Sequence, residues 1–345
     1  MSEDEKWMSL AIAEARRGMG KTAPNPPVGA VIVKNGALLG KGWHRRAGQP
    51  HAEREAIADV VRAHGAAALV GATAYVTLEP CSTQGRTPPC VNGLIEAGVA
   101  RVVYACEDPN PAHAGRADHL LQQAGIAVES GVMREEAWHI LRPFAKVQQT
   151  GLPWVMVKTA MSLDGRITRP EGEPMWLSGE TSRADVQVLR SEVDAMLTSG
   201  ETVRRDHPAL TIRRADLLEG RLQPWRVVMT RRPETLPMTA PLFADDSRER
   251  TLIRSGDPAT VLRDLVKNQG VLSVMVEAGG KLVADLFAAG LVDEVVVYLA
   301  PMIAGGVPAF AGMQDLMLSL EQAEWTVLGD DVRLRALVKA THSGK

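Results

Sequence analysis

The stretch from His51 to Cys90 constrains this chain more than any other. His51-Ala52-Glu53 is followed, after a helix-like and a strand-like segment, by Pro80-Cys81 and then by Thr87-Pro88-Pro89-Cys90. One imidazole and two thiols fill three corners of a tetrahedral zinc and leave the fourth for water. A water bound to such a metal has a pKa of roughly 7, so hydroxide is available at neutral pH. Glu53 stands two residues past the histidine. There it can carry a proton from that water to a leaving group without being a ligand.

His-x-Glu followed by Pro-Cys and a second Cys is the signature of zinc deaminases. Here eight residues separate the two cysteines, where the short form of the signature has two. A structural zinc closes with four protein ligands, and no fourth Cys or His stands at ligand spacing in this stretch. Two free thiols in a reducing compartment can also be plain core residues. The glutamate decides for a catalytic metal.

At 345 residues the chain accommodates two domains. A net charge of -2 and 4% aromatic residues give neither the basic field nor the stacking surface of a nucleic-acid binder, so no nucleic-acid partner is expected. Three cysteines, two of them in the metal motif, argue for a reducing compartment without disulfides. Cys106, after the apolar run 101–105, reads as a buried thiol at a strand end. No apolar run reaches the roughly 18–20 residues that span a bilayer, and the N-terminus is acidic rather than a leader. The expectation is a cytoplasmic protein without a membrane partner.

Apolar spacing predicts a helix over residues 3–18. A stiff loop follows, Thr22-Ala23-Pro24-Asn25-Pro26-Pro27, which makes Asn25 a candidate pocket wall. Residues 28–33 and 37–42 read as a hairpin across Asn35-Gly36. Beyond it come a helix over 52–63, a strand over 72–78 that delivers Cys81, and a helix opened by Pro88-Pro89-Cys90. His51 and Cys90 thus fall at helix starts, where the macrodipole favours thiolate over thiol. Strands at 101–105 and 126–129 with a helix at 117–124 complete a mixed sheet. After a helix over 134–148, the run Thr150-Gly151-Leu152-Pro153 reads as the boundary, giving domains 1–149 and 150–345. The second half repeats the α/β pattern, with strands expected at 154–158, 195–199, 226–230, 273–277, 294–299 and 333–338. Helices are expected there at 183–191, 259–268 and 282–288.

Two turns in this half run from an apolar strand through glycine to a helix start: Ser199-Gly200-Glu201-Thr202 and Glu277-Ala278-Gly279-Gly280. Glycine admits a ligand close to the backbone, and helix N-termini bind phosphate. Neither turn is a Gly-x-Gly-x-x-Gly fingerprint. Lys158, Arg190 and Arg213 add positive charge for an anionic ligand.

The chain resembles, along essentially its whole length, the bifunctional deaminase–reductase family of riboflavin biosynthesis. The matching runs include Pro24-Asn25-Pro26, Gln49-Pro50-His51-Ala52-Glu53, Thr77-Leu78-Glu79-Pro80-Cys81, Gly85-Arg86-Thr87-Pro88-Pro89-Cys90 and Asp108-Pro109-Asn110-Pro111. In the second half they are Ser162-Leu163-Asp164-Gly165-Arg166, Trp176-Leu177-Ser178, Val276-Glu277-Ala278-Gly279 and Ala300-Pro301. The resemblance implies a cytidine-deaminase-like N-terminal domain. That domain would hydrolyse the 2-amino group of 2,5-diamino-6-(ribosylamino)pyrimidinone 5′-phosphate with one zinc per chain. It implies a dihydrofolate-reductase-like C-terminal domain that reduces the ribosyl group of the product to ribityl with NADPH. The substrates are small phosphorylated pyrimidine nucleotides, and a homo-oligomer is expected.

Site residues follow from the same resemblance. His51, Cys81 and Cys90 are the metal ligands and Glu53 the proton carrier. Asn25, His44 and Arg86 fall at deaminase substrate positions. Ala160, Trp176, Ser178, Thr202, Asp206 and Gly279 match NADPH-contacting positions, and Arg190, Leu210, Arg213 and Glu277 substrate-side positions. By themselves Trp176 and Leu210 would read as core, Asp206 as a cap and Arg190 as a surface charge. The chain departs from the family pattern at Thr83, where histidine is usual, at Pro174, where serine is common, and at His207, where a second aspartate is usual. Two other readings compete: a base deaminase acting on nucleic acid, and a deaminase whose degenerate reductase half is kept for oligomerisation.

Overall fold

Two units make up the chain, Met1–Gly151 and Leu152–Lys345. The computed structural model describes residues 1–83, 88–110, 114–168, 176–313 and 317–339. Among the described residues, no helix is long and apolar enough to cross a membrane.

The first unit opens with α1 (Glu3–Arg16), started by a capping box in which Ser2 and Glu5 satisfy each other's backbone N–H groups. β1 (Gly29–Lys34) and β2 (Ala37–Trp43) pair antiparallel. Asn35 and Gly36 both take positive φ, 51° and 70°, as a tight hairpin turn of this hand requires. Next come α2 (Ala52–His64), β3 (Thr73–Leu78), α3 (Cys90–Glu96), β4 (Arg101–Cys106), α4 (Arg116–Gln123), β5 (Ala127–Ser130) and α5 (Arg134–Thr150). The sheet order is β2-β1-β3-β4-β5, antiparallel on the hairpin side and parallel from β3 onward.

Both faces of this sheet are covered, and the alternation of side chains shows by what. Ala30, Ile32, Ala74, Val76, Val102 and Tyr104 pack with α2, α3 and α4. Their neighbours Val31, Val33, Tyr75, Val103 and Ala105 pack with α1 and α5. Period-two strands between helical layers give this sandwich. One close approach matters for the site. A Cβ on Gly42 would stand 2.4 Å from the Ala56 nitrogen and 2.5 Å from the Ala52 oxygen. Glycine here lets α2 lie directly on β2, which fixes where its first turn falls.

The second unit runs β6 (Trp154–Ser162), α6 (Glu180–Glu192), β7 (Ala195–Ser199), α7 (Gly200–Asp206), α8 (Ala215–Leu218), β8 (Trp225–Met229), α9 (Pro241–Ala244), β9 (Thr251–Arg254), α10 (Pro258–Gln269), β10 (Ser273–Val276), α11 (Gly280–Ala288), β11 (Glu294–Ala300), β12 (Leu320–Leu328) and β13 (Asp331–Val338). Its sheet order is β12-β13-β11-β6-β10-β7-β8-β9. Val155, Val157, Val274 and Val276 pack with α10 and α11, while Met156, Met275 and Val296 face α6 on the other side.

Differences from the expected elements have physical causes. β6 continues past Lys158 to Ser162 because β11 pairs with it in parallel to its end. β12 is an edge strand exposed along most of its length, so no apolar alternation marks it. It pairs only with β13, across the turn at Gly329. β9 is likewise a short edge strand.

Candidate functional site

In the first unit, three chain segments bring donors to one point. His51 is the N-cap of α2 and Cys90 the first residue of α3, while Cys81 follows the end of β3. Their ligand atoms lie within 4.8 Å of one another. His51 Nδ1 is 3.5 Å from Cys81 Sγ and 3.3 Å from Cys90 Sγ. Donors sharing a tetrahedral zinc at about 2.0–2.3 Å stand roughly 3.5 Å apart. One nitrogen and two sulfurs at this spacing fit zinc in chemistry and in distance.

The electrostatics point the same way. The two sulfurs share a proton. A hydrogen bond from Cys90 holds the Cys81 thiol well below the usual thiol range against the effect of burial, while Cys90, which keeps the proton, is pushed up. The Cys90 backbone N–H also donates to Cys81 Sγ, at 3.3 Å. His51 is raised, chiefly by its hydrogen bond to Cys81. Glu53 is 4% exposed. Burial first, and then the Cys81 sulfur, raise its carboxyl, which also contacts the Cys90 thiol.

Asn25 and His44 meet beside this cluster. His44 Nδ1 is 3.0 Å from the Pro50 carbonyl, which can only accept, so the ring's proton sits on Nδ1. Nε2 then accepts from the Asn25 amide at 3.0 Å. Burial lowers the His44 pKa, which favours this neutral tautomer. The ring stands edge-on to His51 with centroids 5.2 Å apart. Arg86 lies outside the described residues.

In the second unit the two glycine turns leave neighbouring strands. β7 is followed in the sheet by β8, away from β10, whereas the connection from β10 leads to β11 on the opposite side. Ligands of parallel α/β sheets bind beyond the carboxyl ends of strands at such a switch. There Glu277 forms a two-pronged pair with Arg190, at 2.8 Å and 3.1 Å, and Lys158 Nζ stands 3.8 Å from its Oε2. Burial would raise Glu277, but the Arg190 and Lys158 charges outweigh it and hold the carboxyl at about 2.

Gly279 N–H donates to Thr202 Oγ1 at 3.3 Å, and Thr202 is tied to Ser199. The two turns are thereby joined. A Cβ on Gly279 would meet nothing within 4 Å, so its surface is open for close approach. Ala160 lies half-buried on β6. Trp176 is 49% exposed with the Arg183 guanidinium 5.8 Å from its ring centre. Arg183 also donates to the carbonyl of buried Ser178.

Other residues of the expected set stand differently. Asp206 is exposed at the end of α7 and Arg213 is exposed too. Leu210 is 3% exposed and packs with Met156 and Leu189, as a core leucine would. What it offers a ligand is backbone, bent at φ 51° into the left-handed region. Pro174 lies outside the described residues.

Two carboxylates escaped sequence reasoning. Glu79 accepts backbone N–H bonds from Asp108, Gly115 and Ala117 and so pins the β4–α4 connection against the strand end that leads to Cys81. Asp164 accepts from Ser162 Oγ and from the N–H groups of Ala304 and Gly305, latching the loops after β6 and β11. Both stand in runs that match the family, but their own sequence signal is no more than an acid at a strand end before proline or glycine.

Comparison with known proteins agrees with this geometry. Residues 1–106 match the family described as cytidine and deoxycytidylate deaminase zinc-binding region, and residues 153–334 the RibD C-terminal domain. The riboflavin biosynthesis protein RibD of Escherichia coli is 44% identical over 332 residues, covering 88% of this chain and 89% of that protein. An Acinetobacter baumannii RibD structure superposes with a TM-score of 0.85 at 38% identity, over 98% of this chain and 99% of that one. The Thermotoga maritima diaminohydroxyphosphoribosylaminopyrimidine deaminase/5-amino-6-(5-phosphoribosylamino)uracil reductase gives 0.86 at 30% identity, over 98% of this chain and 99% of that one. With donors, fold and relatives in agreement, this chain belongs to the RibD family of riboflavin biosynthesis proteins.

Proposed function

We propose that the chain catalyses two consecutive steps of riboflavin biosynthesis, deamination in residues 1–149 and reduction in residues 150–345. The observation that carries this is the convergence of His51, Cys81 and Cys90 beside buried Glu53. His51 Nδ1 and the two sulfurs would hold zinc, which when bound would supply an activated water at neutral pH. Glu53 is placed to pass the protons of the adding water to the ring nitrogen and to the departing amine, so that the 2-amino group would leave as ammonia and a carbonyl would remain. Its burial keeps the proton off bulk solvent and its pKa above that of an ordinary carboxylate. Asn25 and the neutral His44 form the pocket wall that orients the pyrimidine edge, and Arg86 pairs with the 5′-phosphate.

In the second unit, NADPH supplies the hydride. Ala160, Trp176, Ser178, Thr202, Asp206 and Gly279 bind it, with bare backbone at Gly279 admitting close contact. Arg190, Leu210, Arg213 and Glu277 face the nucleotide. Because Arg190 and Lys158 hold Glu277 ionised, its carboxylate can accept hydrogen bonds from sugar hydroxyls but has no proton to give at neutral pH. This paired cluster and the joined glycine turns support a working reductase rather than a degenerate one. Small phosphorylated pyrimidine nucleotides are the substrates, without nucleic acid. We also propose a cytoplasmic homo-oligomer; Trp325 and Val327, 62% and 74% exposed on edge strand β12, are suited to subunit contact.

A coupled assay tests the proposal. Given the diaminopyrimidine nucleotide and NADPH, the protein should release ammonia and then consume NADPH in equal amount. Zinc-loaded protein that releases no ammonia would overturn the substrate. Ammonia release with no NADPH consumption on purified deaminated product would restore the degenerate-reductase reading.

A further inference from the structure

We infer that Arg54 is a positioning residue of the metal centre, a brace that locks the helix start bearing His51 to the helix start bearing Cys90. The inference rests on the zinc reading above and adds to it a residue that is neither ligand nor proton carrier. Arg54 sits in the first turn of α2, three residues after His51. A cation there opposes the helix macrodipole, which favours acids at a helix start. A residue that breaks a local rule in this way calls for a compensating contact.

The contact is on α3. Arg54 Nη2 donates to the Pro89 carbonyl at 3.2 Å, and Pro89 is the N-cap residue immediately before Cys90. Pro89 has no side chain to cap this helix start; Cys81 meets the Cys90 and Val91 N–H groups, and the guanidinium adds a hold on the Pro89 carbonyl. The guanidinium also occupies the place a side chain would take on Gly93: an ideal Cβ there would lie 2.6 Å from Arg54 Cζ and 2.8 Å from Nε and Nη1. Glycine is a poor residue for a helix interior. At Gly93 it leaves the planar group room to lie flat on α3 while reaching Pro89. One side chain thus ties the α2 turn that carries His51 and Glu53 to the α3 turn that carries Cys90. Partners hydrogen-bonded to metal ligands typically change metal affinity by about 10–100-fold when removed, and a brace on the residue before a ligand belongs at the low end of that range.

The test is a mutant cycle on the full-length, zinc-loaded protein, reading the rate of zinc release to a chelator. NADPH-dependent reduction of purified deaminated product by the same samples reports on the intact second unit. Arg54→Met keeps the apolar stem and removes the donors. Gly93→Ala leaves Arg54 chemically unchanged but displaces its guanidinium. Each variant should release zinc roughly tenfold faster, with reduction unchanged. The double variant should be no faster than Arg54→Met alone, because the guanidinium whose displacement breaks the brace is already gone. A role in general stability predicts otherwise, since alanine is the better helix former and Gly93→Ala would then hold zinc at least as long as the parent. Release at the parent rate by either single variant, or a double variant showing the product of the two effects, overturns the brace alone. A parent protein that binds no zinc overturns the metal centre as well.

Discussion

The two units solve opposite electrostatic problems. The first gathers acids: two thiols and a carboxyl crowd around one imidazole, and the hydrogen bond between the sulfurs holds Cys81 down and Cys90 up. A divalent cation resolves that crowding by taking the proton's place, as ligand thiols must deprotonate to bind it. The second unit answers its one acid with an excess of positive charge. Glu277 is already matched by Arg190 and Lys158, so its cluster is complete without an ion. Acids gathered around an imidazole suit a metal, whereas paired opposite charges leave fixed hydrogen-bonding groups with no need of one.

Removing one acid from each cluster sharpens the contrast. Glu53→Gln should cut ammonia release by about 10²–10⁴-fold, the usual worth of a positioned acid–base group. Zinc content and NADPH-dependent reduction should stay at parent levels, because Glu53 is not a ligand. Assays of all three on one preparation check this, and retained deamination would refute its role in proton transfer.

Glu277→Gln should act on stability as well as on activity. It leaves Arg190 and Lys158 without their carboxylate, a loss of about 3–5 kcal/mol for a buried pair stripped of one partner. The sign of the pH dependence follows from the shift. Glu277 titrates at about 2 in the fold against an ordinary 4.5. Its contribution is therefore fully present above about 4.5 and is lost as pH falls toward 2. Thermal unfolding of the full chain should show the variant less stable at neutral pH, with the gap closing on acidification. A gap that widens in acid would break the comparison between the two clusters.

The metal site was legible in the sequence because its residues must bunch. His51 and Glu53 share one helix start, and Cys81 and Cys90 flank a single loop. The sheet strands were legible for a related reason: Val31 and Ile32, or Val102 and Val103, are all apolar because both faces are buried. The second site was not legible from spacing. Arg190 and Glu277 lie 87 positions apart, and only the family resemblance joined them. Leu210 shows the limit of that route, since a matching position says nothing about whether its side chain or its backbone faces a ligand. Edge strand β12 was missed because solvent, not a core, lies along its side chains. The Arg54–Gly93 contact was hidden too, because a glycine in a helix gives no sign of what covers it.

The account depends most on what surrounds the metal, and X-ray absorption at the zinc edge of the purified full-length protein reads this directly. It predicts about one zinc per chain, with two sulfur neighbours at about 2.3 Å, one imidazole nitrogen at about 2.0–2.1 Å and one light oxygen neighbour from water. A fourth protein ligand in place of that oxygen, or protein that retains no zinc, would contradict it.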